Sequence, residues 1–288
     1  MPRTELGNRV AVAAVGIPFG FGVVYLGAWA VAIVLAGVAV LGVREVYRIA
    51  EASGSRPFQL LGTTATGVLV LSAAFVQEFG LWSSWAAVLI LALTLVAMAA
   101  AVFLRGSEGR PLEAAAITTL GAVYVGLGFA FGVHLRVFPG VSDGAIGWAG
   151  GFLVAFPLVV TWIGDSAAYF GGRRWGRRKL IPSVSPGKTI EGGLWGLFGA
   201  ILAAVAWTAF LLNPVDEVGL SLGAAAGVGL LIGAVAQVGD LAESLIKRSA
   251  GVKDSGSLLP GHGGVLDRFD SVLFTLPLTY ALMMVLLR

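Results

Sequence analysis

The stretch GLWSSWAAVLILALTLVAMAAAVFL, residues 80–104, contains no charged residue. A helix of about 20 apolar residues spans the ~30 Å hydrocarbon core of a bilayer. Similar apolar runs recur along the 288-residue chain, whose charged fraction is 12% and whose mean hydropathy is +0.90. Soluble domains carry about 25% charged residues. The sequence therefore predicts an all-α, polytopic integral membrane protein without a soluble domain.

The apolar runs are continuous rather than alternating with period two, so we do not expect a membrane β-barrel. Residues 1–140 are predicted to form an N-terminal transmembrane region of about five spans. Residues 141–288 are predicted to form a C-terminal catalytic region of about four spans with two polar links. The nine candidate spans are approximately 9–25, 27–43, 58–77, 80–104, 114–135, 147–170, 192–213, 219–241 and 270–287.

The basic residues predict the orientation of these spans. Of the 19 lysines and arginines, 17 fall in the N-terminal tail and the even-numbered links, and only Arg136 and Arg288 fall on the other side. By the positive-inside rule, the N-terminus and the even-numbered links are cytoplasmic. The 17 residues are Arg3, Arg9, Arg44, Arg48, Arg56, Arg105, Arg110, Arg173, Arg174, Arg177, Arg178, Lys179, Lys188, Lys247, Arg248, Lys253 and Arg268.

Composition narrows the possible functions. The chain has no cysteine, which excludes disulfides and thiolate chemistry. Its net charge of +3 is too small to indicate nucleic-acid binding. The N-terminal half has no acidic residue within its predicted apolar runs, whereas both long polar links lie in the C-terminal half. We therefore expect the chemistry in the C-terminal half.

The first polar cluster lies in residues 161–193. Asp165 is inside an apolar run, where a carboxylate costs several kcal/mol unless it is compensated, so it is a candidate functional residue. The alternative is an Asp hydrogen-bonded to Ser166 or Thr161 in a helix interface. The SPGKT stretch, residues 185–189, places hydroxyls and an ammonium directly before a helix, where phosphate binds well. The basic run 173–179 has a simpler explanation, namely contact with anionic lipid.

The second cluster is QVGDLAESLIKR, residues 237–248. Asp240, Glu243, Ser244 and Lys247 follow helical spacing and form one polar stripe at the end of a span. For Glu243 we favour an ordinary amphipathic helix end with a Glu243–Lys247 pair. Asp240 lies deeper, so it is the better candidate for contact with a ligand or metal.

The third cluster is LPGHGGVLDRFDSVLF, residues 259–274. Asp267 and Asp270 are three residues apart and share a face if a helix begins here. Such carboxylates suit Mg²⁺, which binds through one or two carboxylates plus substrate phosphates. Arg268 can reach phosphate oxygens in a bidentate manner, and the glycines allow the backbone to approach a ligand. The combination is typical of magnesium–nucleotide chemistry.

Together these residues resemble a known family. SLIKRSAGVKDSGSLLPGHGGVLDRFD, residues 244–270, is similar to the signature of phosphatidate cytidylyltransferases, also called CDP-diacylglycerol synthases. GDSAAYFGGRRWG and SPGKTIEG also resemble the family, so the resemblance covers roughly residues 155–288. The signature positions are Ser244, Lys247, Arg248, Lys253, Asp254, Gly256, His262, Gly263, Gly264, Asp267, Arg268 and Asp270.

The resemblance implies an integral inner-membrane enzyme that converts CTP and phosphatidate into CDP-diacylglycerol and pyrophosphate, with the active site facing the cytoplasm. It implies a divalent cation, usually Mg²⁺, with a second cation left open, and a homodimer. Under it, Asp240, Asp267 and Asp270 bind the cation. Phosphates are held by Lys188, Lys247, Arg248, Lys253 and Arg268. They are oriented by Ser185, Thr189, Ser244 and the backbone of His262, Gly263 and Gly264. Asp165 and Asp254 are secondary candidates, and His262 is a candidate proton shuttle.

Two alternatives remain at this stage. A CTP-dependent lipid or polyprenol kinase would use similar chemistry but would release CDP instead of pyrophosphate. An ion-coupled transporter would use Asp165 and Asp240 as ion sites. Against a transporter, the polar residues gather towards one face of the membrane and the chain shows no inverted repeat.

Overall fold

The computed structural model describes residues 16, 18–106, 108–256 and 263–287. Residues 18–25 are helical, and eight further helices follow in the described chain. They are α1 (Ala28–Ala52), α2 (Gln59–Phe75), α3 (Phe79–Leu104), α4 (Pro111–Arg136), α5 (Gly151–Trp175), α6 (Ile190–Leu212), α7 (Leu222–Ser249) and α8 (Leu266–Leu286). A hairpin of β1 (Lys179–Ile181) and β2 (Ser185–Thr189) joins α5 to α6.

The all-α membrane fold is confirmed, but the count of nine spans is not. Seven helices in the described residues are long and apolar enough to cross a membrane: α1 and α3 to α8. The third predicted span is α2, which has only 17 residues because it starts after Pro57 and ends at Phe75. Of the first predicted span, 9–25, residues 9–15 and 17 lie outside the described residues. The division of the chain at residue 140 stays a prediction.

Several helix ends differ from their predicted positions. Helix α1 continues to Ala52 instead of ending at residue 43, and α7 continues to Ser249 instead of 241. Helix α8 begins at Leu266, four residues before its predicted start. In each case the helix continues through charged residues, because these side chains find partners or water where the helix leaves its apolar surroundings.

The extension of α1 overturns one expectation. Glu45 lies inside α1 and is 3% exposed, so the N-terminal half does contain a buried acid. Arg44 and Arg48 are on the exposed face of the same turns, whereas Glu45 and Ile49 are on the buried face. The helical repeat thus separates charges that look like one polar link in the sequence.

Small residues set the spacing of α5, α6 and α7. A Cβ atom added at Gly164 of α5 would lie 3.3 Å from the carbonyl oxygen of Gly196 in α6. One added at Gly229 of α7 would lie 2.8 Å from the carbonyl oxygen of Ala200 in α6. Close approach through small residues is how membrane helices associate when there is no hydrophobic driving force between them.

Arg136 closes one end of the bundle. Its side chain is fully buried at the end of α4 and donates hydrogen bonds to the carbonyl oxygens of Ala149, Ala145 and Gly147 over 2.6, 2.7 and 3.0 Å. It also donates to Ser142 Oγ and to the carbonyl oxygen of Val24. These bonds hold the α4–α5 loop against the bundle. The polar clusters predicted from the sequence lie at the opposite end.

Candidate active site

A cavity of about 1280 Å³ opens at the end of the bundle where α5 and α7 finish and α6 and α8 begin. The hairpin β1–β2 borders it. Ten of the residues predicted from the sequence line this cavity, so the three polar clusters meet in space. These ten are Asp165, Lys188, Thr189, Asp240, Lys247, Asp254, Gly263, Asp267, Arg268 and Asp270.

The hairpin positions the first cluster. Thr189 ends β2 and is the N-cap of α6, where its hydroxyl accepts a hydrogen bond from the Gly192 N–H over 3.1 Å. This confirms that SPGKT directly precedes a helix. Lys188, one residue earlier, forms an ion pair with Asp240 of α7, with Nζ 2.6 Å from Oδ2. The pair joins the first and second clusters across the cavity.

Asp165 faces the cavity from α5. The alternative partners considered for it bond elsewhere: Ser166 Oγ donates to the carbonyl oxygen of Trp162, and Thr161 pairs with Thr275. Gln237, which the sequence analysis passed over, also lines the cavity and donates from Nε2 to the carbonyl oxygen of Gly193 over 3.0 Å. The sequence could have indicated Gln237, because it lies one helical turn before Asp240 on the same predicted helix.

Three of the five aspartates that line the cavity form one cluster. Asp165, Asp240 and Asp270 are close enough for each charge to interact with the other two. Asp270 accepts a hydrogen bond from the Ser271 N–H over 2.6 Å, and Asp240 is paired with Lys188. Like charges repel one another in such a setting, so the cluster favours the binding of a cation.

Asp267 has a different environment. Its Oδ1 accepts a hydrogen bond from Lys247 Nζ over 2.5 Å, and its Oδ2 accepts from the N–H groups of Gly264 and Ser255 over 2.8 and 3.0 Å. Lys247 also pairs with Glu243, which is 1% exposed. The predicted Glu243–Lys247 pair is therefore confirmed, although Glu243 is buried rather than at a solvated helix end. Lys247 is held between two carboxylates.

Glu45 is the functional candidate that the sequence analysis missed. Its carboxylate accepts hydrogen bonds from the N–H groups of Val265 and Leu266 over 2.9 and 2.7 Å and from Ser255 Oγ over 2.8 Å. Helical periodicity could have indicated that Glu45 is buried, because it shares the face of α1 that carries Gly42, Val46 and Ile49.

The structure does not bring every predicted residue to the cavity. Arg248 is exposed and donates to the carbonyl oxygen of Val252 over 3.3 Å, and Ser244 bonds within its own helix to Asp240 over 3.4 Å. Gly264 is buried behind the cavity wall, with its N–H used by Asp267. Ser185 in β2 and the exposed Lys253 are not among the lining residues. His262 lies outside the described residues, so its predicted role stays a prediction.

The fold and the site together define a class of protein: a polytopic membrane protein with a charge-lined cavity at one end of its helices, suited to phosphorylated ligands and their cations. The chain matches the cytidylyltransferase family over residues 7–286. It belongs to that family.

Relatives with a named activity extend this comparison. The chain is similar to phosphatidate cytidylyltransferase of Synechocystis sp., with 34% identity over 305 aligned positions and 97% of each chain covered. It is also similar to the enzymes of that name from Staphylococcus aureus (39% identity, 57% of each chain covered) and Bacillus subtilis (38% identity, 57% of this chain and 56% of the relative covered).

Gly264 provides a direct test of the packing behind the cavity. A Cβ atom there would collide with Ser255 Oγ and the Glu45 carboxylate, both of which are held by hydrogen bonds. We expect Gly264→Ala to lower the unfolding free energy by about 1–3 kcal/mol and to lower activity. The measurements are thermal unfolding in detergent and turnover.

Gly227→Ala on α7 is the matched control, because its Cβ would meet no atom within 4 Å. Ala has the higher helix propensity, so this variant should be at least as stable as the parent chain. If Gly264→Ala were as stable and active as Gly227→Ala, the enclosed packing of Gly264 would be wrong.

Proposed function

We propose that this chain is a phosphatidate cytidylyltransferase, which converts CTP and phosphatidate into CDP-diacylglycerol and pyrophosphate. The observation that carries the proposal is the cavity itself, in which Lys188, Arg268 and three carboxylates meet at the end of membrane-spanning helices. A lipid substrate can reach this position from the bilayer and a nucleotide from the water. The names of the Synechocystis, S. aureus and B. subtilis relatives support the same activity.

In the proposed reaction, a phosphate oxygen of phosphatidate attacks the α-phosphorus of CTP, and pyrophosphate leaves. The nucleophile is already anionic, so a strong general base is unnecessary. The difficulty is to bring two polyanions together, which is achieved by positioning and charge neutralisation. Lys188 and Arg268 would hold phosphate oxygens. The hydroxyl of Thr189, at the N-terminus of α6, would add to their orientation.

The acidic residues fit a magnesium ion that is bound partly by the protein and partly by water and substrate phosphates. In the described residues, no group of three His, Cys, Asp or Glu side chains forms a complete ligand set. Mg²⁺ usually keeps several waters and binds through one or two carboxylates plus substrate phosphates. Asp240 and Asp270 would hold such an ion, and the charge of Asp165 would add to the attraction of the cluster for it. When bound, the ion would neutralise the phosphate charge of CTP.

Asp267 fits this role less well than the sequence suggested. Both of its oxygens already accept hydrogen bonds from Lys247, Ser255 and Gly264. A metal would have to displace at least one of these donors. Asp240 also has partners, Lys188 and Ser244, but both are side chains that can move, whereas two of the donors to Asp267 are backbone N–H groups. We therefore assign Asp267 to the support of Lys247 and of the α8 N-terminus, and Asp240 and Asp270 to the cation.

The proposed reaction has a direct test. Purified protein with labelled CTP, phosphatidate and Mg²⁺ should yield pyrophosphate and a CDP-lipid in equal amounts, because one bond to the α-phosphorus forms as another breaks. The products are identified by chromatography. Release of CDP together with a phosphorylated lipid would instead support a CTP-dependent lipid kinase, and a lack of either product would contradict both activities.

The two aspartates of α8 should respond differently to the loss of charge. Asp270→Asn keeps the volume and one oxygen but loses the charge that Mg²⁺ requires. We expect the variant to fold and its turnover to fall by more than ~10–100-fold, which is the loss typical when a residue that hydrogen-bonds to a metal ligand is removed. Turnover should recover partly at higher Mg²⁺ concentration. Asp267→Asn should lower the unfolding temperature as well as turnover, without rescue by Mg²⁺.

The comparison of these variants requires turnover against Mg²⁺ concentration and thermal unfolding of both. Near-normal turnover of Asp270→Asn at ordinary Mg²⁺ would contradict the cation assignment. Rescue of Asp267→Asn by Mg²⁺ alone would return Asp267 to the ligand set.

We further propose that the cavity faces the cytoplasm from the cell's inner membrane. The charge asymmetry supports this, because the basic residues of α5, β2 and α7 lie at the same end of the bundle as the cavity. The cavity's place at one end of the bundle also favours a reaction with a soluble nucleotide over ion-coupled transport. A homodimer stays a prediction from the family resemblance.

The orientation can be tested with single cysteines, since the chain has none of its own. Ser183→Cys lies in the exposed turn between β1 and β2, and Asp143→Cys lies in the exposed α4–α5 loop at the opposite end. A membrane-impermeant maleimide should label Ser183→Cys only in inverted vesicles and Asp143→Cys only in right-side-out vesicles. Labelling of both in the same vesicles would contradict the topology, and the reversed pattern would contradict the orientation.

A further inference from the structure

Glu45 connects the N-terminal half of the chain to the beginning of α8. It lies on α1, is 3% exposed and is not among the residues that line the cavity. Its hydrogen-bond partners are 210 to 221 residues away along the chain. A carboxylate buried among apolar helices is costly unless donors compensate it. The identity of those donors indicates its role.

Two of the donors belong to the N-terminus of α8. The first N–H groups of a helix have no partner within the helix, and they carry a partial positive charge. The Val265 N–H donates to Oε1 of Glu45 over 2.9 Å, and the Leu266 N–H donates to Oε2 over 2.7 Å. Glu45 thus acts as a cap supplied from another helix. It determines where α8 begins and in which direction it points.

The third donor links Glu45 to the cavity wall. Ser255 Oγ lies 2.8 Å from Oε2 of Glu45 and 3.0 Å from Oδ2 of Asp267. The hydroxyl has one hydrogen, so it bonds to one carboxylate at a time, while the Ser255 N–H donates to Asp267. Asp267 in turn accepts from Lys247, which lines the cavity. Glu45 is therefore three hydrogen bonds away from the Lys247 ammonium, through Ser255 and Asp267.

The Glu45 carboxylate is closely surrounded by two glycines. A Cβ atom at Gly256 would lie 3.0 Å from Cδ of Glu45, and one at Gly264 would lie 2.7 Å from the same atom. The carboxylate is enclosed by the segment that leads into α8 and by α8 itself. Because these contacts are tight, a change in the carboxylate must be transmitted to the start of α8.

We propose that Glu45 is a positioning residue for the proposed cytidylyl transfer. Its carboxylate fixes the first turn of α8, so that Arg268 and Asp270 face Lys188 and Asp240 across the cavity. Misplacement of a reacting group by about 1 Å can cost ~100-fold in rate. This inference rests on the proposed function, since the residues that Glu45 positions are those assigned to phosphates and the cation.

The decisive variant is Glu45→Gln, which keeps the shape of the side chain but replaces one acceptor oxygen with an NH₂ donor. That donor would face the Val265 N–H in one orientation of the amide and the Leu266 N–H together with the Ser255 hydroxyl in the other, so the cap would be incomplete in both. The control is Glu51→Gln, which removes the same charge from an exposed position on the same helix. Both proteins are purified as full chains in detergent.

A residue needed only for folding would change the amount of active protein, whereas a positioning residue changes the properties of each folded molecule. We therefore measure kcat, the KM for CTP and the rise in unfolding temperature caused by CTP with Mg²⁺. For Glu45→Gln we expect kcat/KM to fall by about tenfold or more, the range typical of groups that orient a ligand set. The KM should rise, and the CTP-induced rise in unfolding temperature should shrink. Glu51→Gln should match the parent chain in all three.

Ser255→Ala tests the same connection if Glu45→Gln does not fold. It removes the hydroxyl between the two carboxylates but leaves the backbone cap of α8 intact. We expect a several-fold rise in the KM for CTP with a nearly unchanged unfolding temperature, and Glu45→Asp, which keeps the charge, should be less impaired than Glu45→Gln. An unchanged KM and an unchanged CTP-induced stabilisation in the folded variants would overturn the inference. If the parent chain itself makes no CDP-lipid, the proposed function fails instead, and CTP-induced stabilisation still reports on Glu45.

Discussion

The buried N-terminus of α8 is the constraint on which the site depends. Each unsatisfied N–H group at a buried helix end costs about 1–3 kcal/mol. Here two carboxylates act as acceptors. Glu45 accepts hydrogen bonds from the Val265 and Leu266 N–H groups, and Asp267 accepts one from the Gly264 N–H. One acceptor comes from α1 and the other from α8 itself. The first turn of α8, with Arg268 and Asp270, is therefore positioned by a helix from the other half of the chain.

The acidic residues at this end of the bundle divide into two groups. Glu45, Glu243 and Asp267 are held by donors within the protein, and they maintain the structure around the cavity. Asp165, Asp240 and Asp270 face the cavity, where Lys188 offsets only part of their charge. A surplus of negative charge near Lys188 and Arg268 suits a ligand that arrives as a polyanion with its cation. The position of Asp270 depends on the first group, because Glu45 and Asp267 hold the start of α8.

This division explains how much the sequence could predict. Hydropathy predicted most of the spans, because a run such as residues 80–104 has few alternatives to a membrane helix, and the pattern of residues 244–270 predicted the family. Hydropathy could not predict that Glu45 is buried, because an acid between two arginines looks like a polar link until the helical faces are known. Similarly, the sequence could not show that the oxygens of Asp267 accept hydrogen bonds from Lys247, Ser255 and Gly264, whereas the charge of Asp270 interacts with Asp165 and Asp240. Asp267 and Asp270 are acids three residues apart, and only the packing of α7 against α8 distinguishes them.

The packing of the apolar helices also sets the geometry of the charged residues. Gly164 is one residue before Asp165, and a Cβ atom there would press on the backbone of Gly196. On the facing side, a Cβ atom at Gly193 would lie 2.7 Å from Oε1 of Gln237, one turn before Asp240. A larger side chain at Gly164 would press α5 away from α6 at the level of the cavity, whereas one at Gly193 would displace the Gln237 side chain. The position of Asp165 relative to Asp240 would then change, and the interaction between their charges would change with it. The small residues that allow the membrane helices to associate therefore also set the distances on which the charge cluster depends.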